Sequence, residues 1–156
     1  MLEYIGQSNN YFTQQIYNKN PYPSLVRLLV HSNIEIVIRI IRSNLSILLA
    51  GTSTTLETLP HSHFKSLQAC DGIKKAYSLF QQNRHKITKD RAAICIGQLF
   101  RAQEITNKQM RNDIIKHLKT LGNDSDKWTK NAAKVFLREL AQNTADIEAG
   151  GFVIPE

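Results

Sequence analysis

The run IEIVIRIIRSNLSILLA, Ile34 to Ala50, decides the fold class. Its branched residues suit a pleated strand, because a second heavy atom on Cβ stiffens χ1 in a way a sheet accommodates. Length and spacing point the other way. About seventeen residues exceed an ordinary strand, and Ile34, Val37, Ile38, Ile41, Leu45, Leu48 and Leu49 recur at intervals of three and four, which a helix gathers on one side. Ile36, Ile40 and Ile47 put apolar groups on the other side, so this helix has to be covered on more than one face. Glu35, Arg39, Arg42, Ser43, Asn44 and Ser46 interrupt the run, leaving it too short and too polar to cross a bilayer.

Working outward, residues 1–22 are rich in Asn, Gln and Tyr and form a lead-in, with one irregular helix expected around Tyr11 to Tyr17. Pro21 and Pro23 forbid a helix running through that point. Leu25, Leu28 and Leu29 predict a short helix from Ser24 to Val30, stopped by His31-Ser32-Asn33. Gly51 is the expected C-cap of the long helix, and Thr52 to Pro60 a Thr-rich connection. A short helix over Ser62 to Cys70 ends at Asp71-Gly72, and apolar spacing then predicts amphipathic helices over 73–82, 87–102, 110–121 and 128–141, with Ser125 as a capping residue. The fold class is all-α.

An internal repeat organises these helices. Lys86-Ile87-Thr88-Lys89 followed by Ala92-Ala93 matches Lys127-Trp128-Thr129-Lys130 followed by Ala132-Ala133, at offsets of 41 and 40 residues. Ala69 to Ile73 resembles Glu148 to Phe152, 79 residues on, close to two periods. Helical solenoids repeat at about 40–47 residues, and small residues at adjacent positions let one long helix approach its neighbour closely. Gly97 serves the same approach.

A glycine turn, a short helix ending in Leu79-Phe80, a polar turn and a long helix with an alanine pair together resemble the armadillo repeat family, over about residues 21–151. The resemblance implies a right-handed α-solenoid of about three armadillo or HEAT-like repeats in a single domain. The units are 23–72, 73–108 and 109–151, with an insertion in the Thr52 to His63 surface loop, and 152–156 begin a further unit cut from a longer array. It also implies a scaffold that holds an extended peptide along the groove of the long helices. Importins of the family place a Trp and an Asn one turn apart there; this chain has Asn44 and Leu48, Ile94 and Gln98, Val135 and Glu139 instead.

Composition agrees with one globular domain: 156 residues, 42% hydrophobic, only 7 Gly and 4 Pro. Without a basic start and apolar block at the N-terminus, and with only Cys70 and Cys95, the chain is expected in the cytoplasm or nucleus with reduced thiols. The net charge of +7 is concentrated: residues 73–119 carry eleven Lys or Arg against Asp90, Glu104 and Asp113. Such a field draws acidic partners, whether protein, nucleic acid or phospholipid, without choosing among them.

No phosphate loop, nucleophile elbow or paired-histidine metalloprotease helix occurs. His61, His63 and Cys70 lack a fourth ligand for a tetrahedral metal site and read as loop residues, while Cys95, inside the apolar run 92–99, is expected to be buried and inert. The expectation is therefore a protein that is not an enzyme and needs no metal or cofactor. Polar positions on the long helices supply the candidate groove: Asn44, Arg91, Gln98, Arg101, Lys134 and Arg138. The plainer account of each is a solvated helix face. Trp128 is either a partner anchor or, more simply, a layer filler. The expected partner is an acidic protein or extended peptide; the alternative is nucleic acid at residues 73–119, whose Tyr77, Phe80 and Phe100 look like core rather than a stacking ladder.

Overall fold

A computed structural model describes residues 10–52, 56 and 58–142. Among them every regular element is a helix: α1 (Asn10–Asn18), α2 (Tyr22–Leu28), α3 (Ile34–Thr52), α4 (Phe64–Ala69), α5 (Gly72–Gln82), α6 (Lys86–Leu99), α7 (Lys108–Leu121) and α8 (Lys127–Gln142). The match at Glu148 to Phe152 and the start of a further unit at 152–156 lie outside the described residues.

Local chemistry sets the helix ends. The Asn33 carboxamide accepts from Glu35 N at the start of α3, and Asn107 accepts from Met110 N at the start of α7. His85 does the same for α6 through Ile87 N. At α8 the cap is Asp126 rather than Ser125: its carboxylate takes both the N–H and the hydroxyl of Thr129, at 2.8 and 2.6 Å. Asn20, Asp71 and Asn83 turn the chain in the left-handed region, a conformation that short polar side chains tolerate.

The decisive run is α3, and it is covered on several sides as its pattern requires, by α1, α2 and α6. It runs one residue past Gly51, which is therefore not a C-cap. A Cβ on Gly51 would stand 2.6 Å from His63 Cε1, so the missing side chain makes room for a histidine. The following connection is not wholly a surface insertion: Leu56 and Leu59 are exposed, but His61 and His63 are buried.

The core is organised around α6, which packs against α3, α5, α7 and α8. Every residue from Ala92 to Leu99 is buried, so α6 is enclosed rather than amphipathic. The reason is that four other helices pack against it. α6 and α8, the helices with the alanine pairs, do lie against each other. Ala92, Ala93 and Ala133 are fully buried, and a Cβ on Gly97 would stand 3.2 Å from both Leu118 Cδ1 of α7 and Phe136 Cβ of α8. No described helix is long and apolar enough to cross a membrane.

Replacing Gly97 with Val puts two methyl groups into that three-helix contact and is expected to destabilise the protein by about 2 kcal/mol, despite the better helix propensity of Val over Gly. Urea unfolding measures this; a midpoint equal to or above that of the wild type would contradict the close approach.

Candidate functional site on the long helices

The three long helices run in the same direction. Near their C-terminal ends Gln98 Nε2 of α6 donates to Thr52 Oγ1 of α3. Near their N-terminal ends the Arg91 guanidinium of α6 lies 4.1 Å from the centre of the Trp128 ring of α8. Polar side chains on this layer are the candidate site.

They do not sit alike. Asn44 and Gln98 are interior, at 4% and 1% exposure, and Arg101, just beyond α6, is buried at 2%. Arg101 reaches the Thr52 carbonyl through Nη1 at 3.5 Å, so it shares Thr52 with Gln98. Arg91 and Lys134 are half-buried, and Arg138 alone of the six is a fully solvated side chain. Neither the open groove nor the solvated face expected from sequence describes the interior three as they stand. The helices α3 and α6 approach closely enough to cover them. Asn44 Oδ1, Gln98 Oε1 and Arg91 Nη1 are buried with no hydrogen-bond partner. Trp128 is half-buried, packs against the core as a layer filler does, and also holds the Arg91 guanidinium over its ring. Burial pushes the Arg91 guanidinium below its ordinary range; the Asp126 carboxylate opposes that shift and the Arg42 cation adds to it.

A buried histidine pair fastens α1, α2 and α3 together. His61 Nε2 lies 3.0 Å from the Leu48 carbonyl, which only accepts, so this nitrogen carries the proton and Nδ1 accepts from His63 N. His63 stacks on Tyr17 with ring centres 3.6 Å apart and shares a 2.8 Å hydrogen bond with the Tyr22 hydroxyl. Burial lowers the pKa of His61 to about 4 and of His63 to about 3, holding both neutral. No described group of three or more His, Cys, Asp or Glu is placed to hold a metal ion. Cys95 is buried, and burial raises its thiol pKa to about 12, which suppresses the nucleophilic thiolate.

Sequence reading missed a third polar group. In a cleft of about 590 Å³ at the α6–α7 junction, Lys86 Nζ lies 2.7 Å from both Asp90 Oδ2 and Asp124 Oδ2, and His117 Nε2 is 2.8 Å from Asp90 Oδ1. Burial alone would raise the Asp90 pKa, but hydrogen bonds from His117 and Lys86 outweigh it and hold the carboxyl below its usual range. The spacing of Lys86 and Asp90 on one helix was readable; the arrival of His117 and Asp124 was not, since they are 27 and 34 residues further on than Asp90. The network ties α6 to α7 and to the turn before α8.

No family model, curated protein or solved structure matches the chain. The functional reading accordingly rests on its own residues.

Stability should carry the mark of the histidine pair. Unfolded imidazoles take a proton near pH 6.5, whereas the folded pair resists it until about pH 4 and 3, so the unfolded state binds more protons in that window. Unfolding free energy is expected to be level above about pH 7 and to fall by on the order of 2 kcal/mol between pH 6.5 and 5, where the carboxylates are still ionised. Urea titrations at four pH values test it. A His63→Phe variant should show a shallower decline, and a wild-type curve flat down to pH 4.5 would contradict the buried, neutral pair.

Proposed function

We propose that the chain is a non-catalytic protein-binding scaffold, an α-solenoid of about three armadillo-like repeats that holds an extended, acidic peptide along the layer formed by α3, α6 and α8. The observation that carries the reading is a group of unmatched polar atoms on α3 and α6, Asn44 Oδ1, Arg91 Nη1 and Gln98 Oε1. Folded proteins pair nearly all such groups, and an unpaired one costs about 1–3 kcal/mol. An extended peptide brings backbone N–H groups and carbonyls at short intervals, the chemistry that two carboxamide oxygens and a guanidinium edge lack. Because those atoms are sealed, the carboxamides must turn outward as the peptide docks, so binding is coupled to a local rearrangement. Supporting the repeat itself, α6 and α8 pack as the 40-residue offset requires, α3 joins α6 in the same direction, and the shorter α2 and α5 meet in a second layer.

Nucleic acid is the less favoured partner because several of the cations of residues 73–119 are engaged within the fold. Lys86 is held by two aspartates, Arg84 donates to the carbonyls of His31 and Ser32, and Arg111 binds Glu104 at 2.7 Å. Lys89 lies over the Phe80 ring.

Selection of a random decapeptide library on the immobilised protein is expected to yield binders that compete for one site with affinities of roughly 1–100 µM, weakened about fivefold or more by Arg138→Glu, a solvated position that leaves folding intact. Recovery of no binders, together with single-stranded RNA binding that weakens steeply with salt, would replace this reading with the nucleic-acid one.

A further inference from the structure

The outward face of α8 carries one sign of charge. Lys127, Lys130, Asn131, Lys134 and Arg138 recur at intervals of three and four and fall within an arc of about 100°, turned away from the buried Ala132, Ala133, Phe136 and Leu140. Lys134 is half-buried and the other four are exposed. Glu139, the only acid in the sequence of the helix, lies outside that arc and has one carboxylate oxygen buried. The side chains of Lys127, Lys130 and Arg138 make no ion pair or hydrogen bond with a described residue. The acids just before the helix are committed elsewhere: Asp124 to Lys86 at 2.7 Å, and Asp126 to the N–H and hydroxyl of Thr129. Like charges one turn apart repel, so an anionic segment laid along this stripe relieves it.

The chain itself supplies such a segment immediately after α8. Residues 143–156, NTADIEAGGFVIPE, hold Asp146, Glu148 and Glu156 and no Lys, Arg or His, so three negative charges follow the four positive ones of the stripe. Spacing matches as well as sign. Asp146 and Glu148 stand on one side of an extended chain about 7 Å apart, and Arg138 and Lys134 are one helical turn apart, about 6 Å along the axis. A reversal at Asn143-Thr144 followed by two extended residues brings Asp146 level with Arg138, and two more bring Glu148 level with Lys134. We propose that residues 143–156 turn back along α8 with Asp146 on Arg138 and Glu148 on Lys134, making the chain's own acidic segment the resident occupant of that face. As regulation of the peptide site this rests on the scaffold reading, because Lys134 and Arg138 belong to the candidate groove. An acidic partner binds there by displacing the segment, which competes at the high effective concentration of a tethered ligand. Exposed ion pairs are individually weak, and that keeps the segment displaceable.

Zero-length carbodiimide cross-linking of the full chain, mapped by mass spectrometry of the monomer band, tests the docking without any peptide. Expected is a link from Lys134 to Glu148 or Asp146. It should be lost when Asp146→Lys and Glu148→Lys are combined and regained when Glu148→Lys is paired with Lys134→Glu, circular dichroism confirming that each variant is folded. Links from residues 143–156 only to lysines off α8, links only between two copies, or no links at all would overturn the proposal. The regulatory consequence is read with the decapeptides selected on the wild type: neutralising the segment by Asp146→Asn with Glu148→Gln should tighten their binding about tenfold. An unchanged affinity would overturn the regulatory role. Failure to select any peptide on either chain, with Lys134 still linked to the segment, would support the docking and end the scaffold reading.

Discussion

The rest of the structure depends on the enclosure of α6. A helix packed against four others needs small side chains where backbones come closest and bulk where they diverge, and Ala92, Ala93 and Gly97 beside Ile94, Ile96 and Leu99 meet that requirement. Enclosure also dictates the placement of polar groups. Thr88, Asp90 and Gln98 are buried on α6, and two of these three are bound to other elements, Asp90 to His117 of α7 and Gln98 to Thr52 of α3. A polar group inside a tightly packed layer either finds such a partner or weighs against the fold. The central helix therefore serves as both the hydrophobic spine and the junction of the polar contacts that fix the order of its neighbours.

At the amino-terminal side, a different solution holds the end of the layer. α1 and α2 are short and could not seal the edge of α3 by apolar area alone. Aromatic and imidazole rings do it instead: Tyr17, His63 and Tyr22 interleave, and His61 reaches the Leu48 carbonyl near the end of α3. Gly51 is the complement of that arrangement, a helix position left bare so that two imidazoles can approach the backbone. The cost is a pair of bases forced to stay neutral, which makes this edge the acid-sensitive part of the molecule.

Fold class was legible because it is written in local periodicity. The three-and-four spacing of Ile34 to Leu49 overrode the β preference of its isoleucines, and the alanine pairs identified two helices that do pack together. What escaped sequence reading depended on distance along the chain. His61 and His63 read as loop residues because nothing local announces that Tyr17, Tyr22 and Leu48 will surround them. Asn44, Gln98 and Arg101 read as surface because polar residues on a helix usually are, yet α3 and α6 come close enough to cover them. Gly51 was mistaken for a helix stop since a glycine after an apolar run usually is one, and the clash that explains it lies in histidines ten and twelve residues ahead. Ser125 lost the capping role to the next residue, an error of one position in a turn where either side chain was suitable.

The distribution of satisfied and unsatisfied polar atoms bears on why a protein would keep such a layer. Around the α6–α7 junction each charge is answered: Lys86 by two carboxylates, Asp90 by a lysine and a histidine. On the layer of α3 and α6, a few turns away, two carboxamide oxygens and a guanidinium nitrogen have no partner. A sequence able to build the first network had the means to complete the second, and replacing Asn44 or Gln98 by an apolar residue of similar size would have removed the cost altogether. Stability alone therefore does not account for these side chains. A surface that must exchange its internal contacts for those of a visiting chain needs groups whose partners are supplied on binding, and marginal satisfaction in the free protein is the physical condition for that exchange.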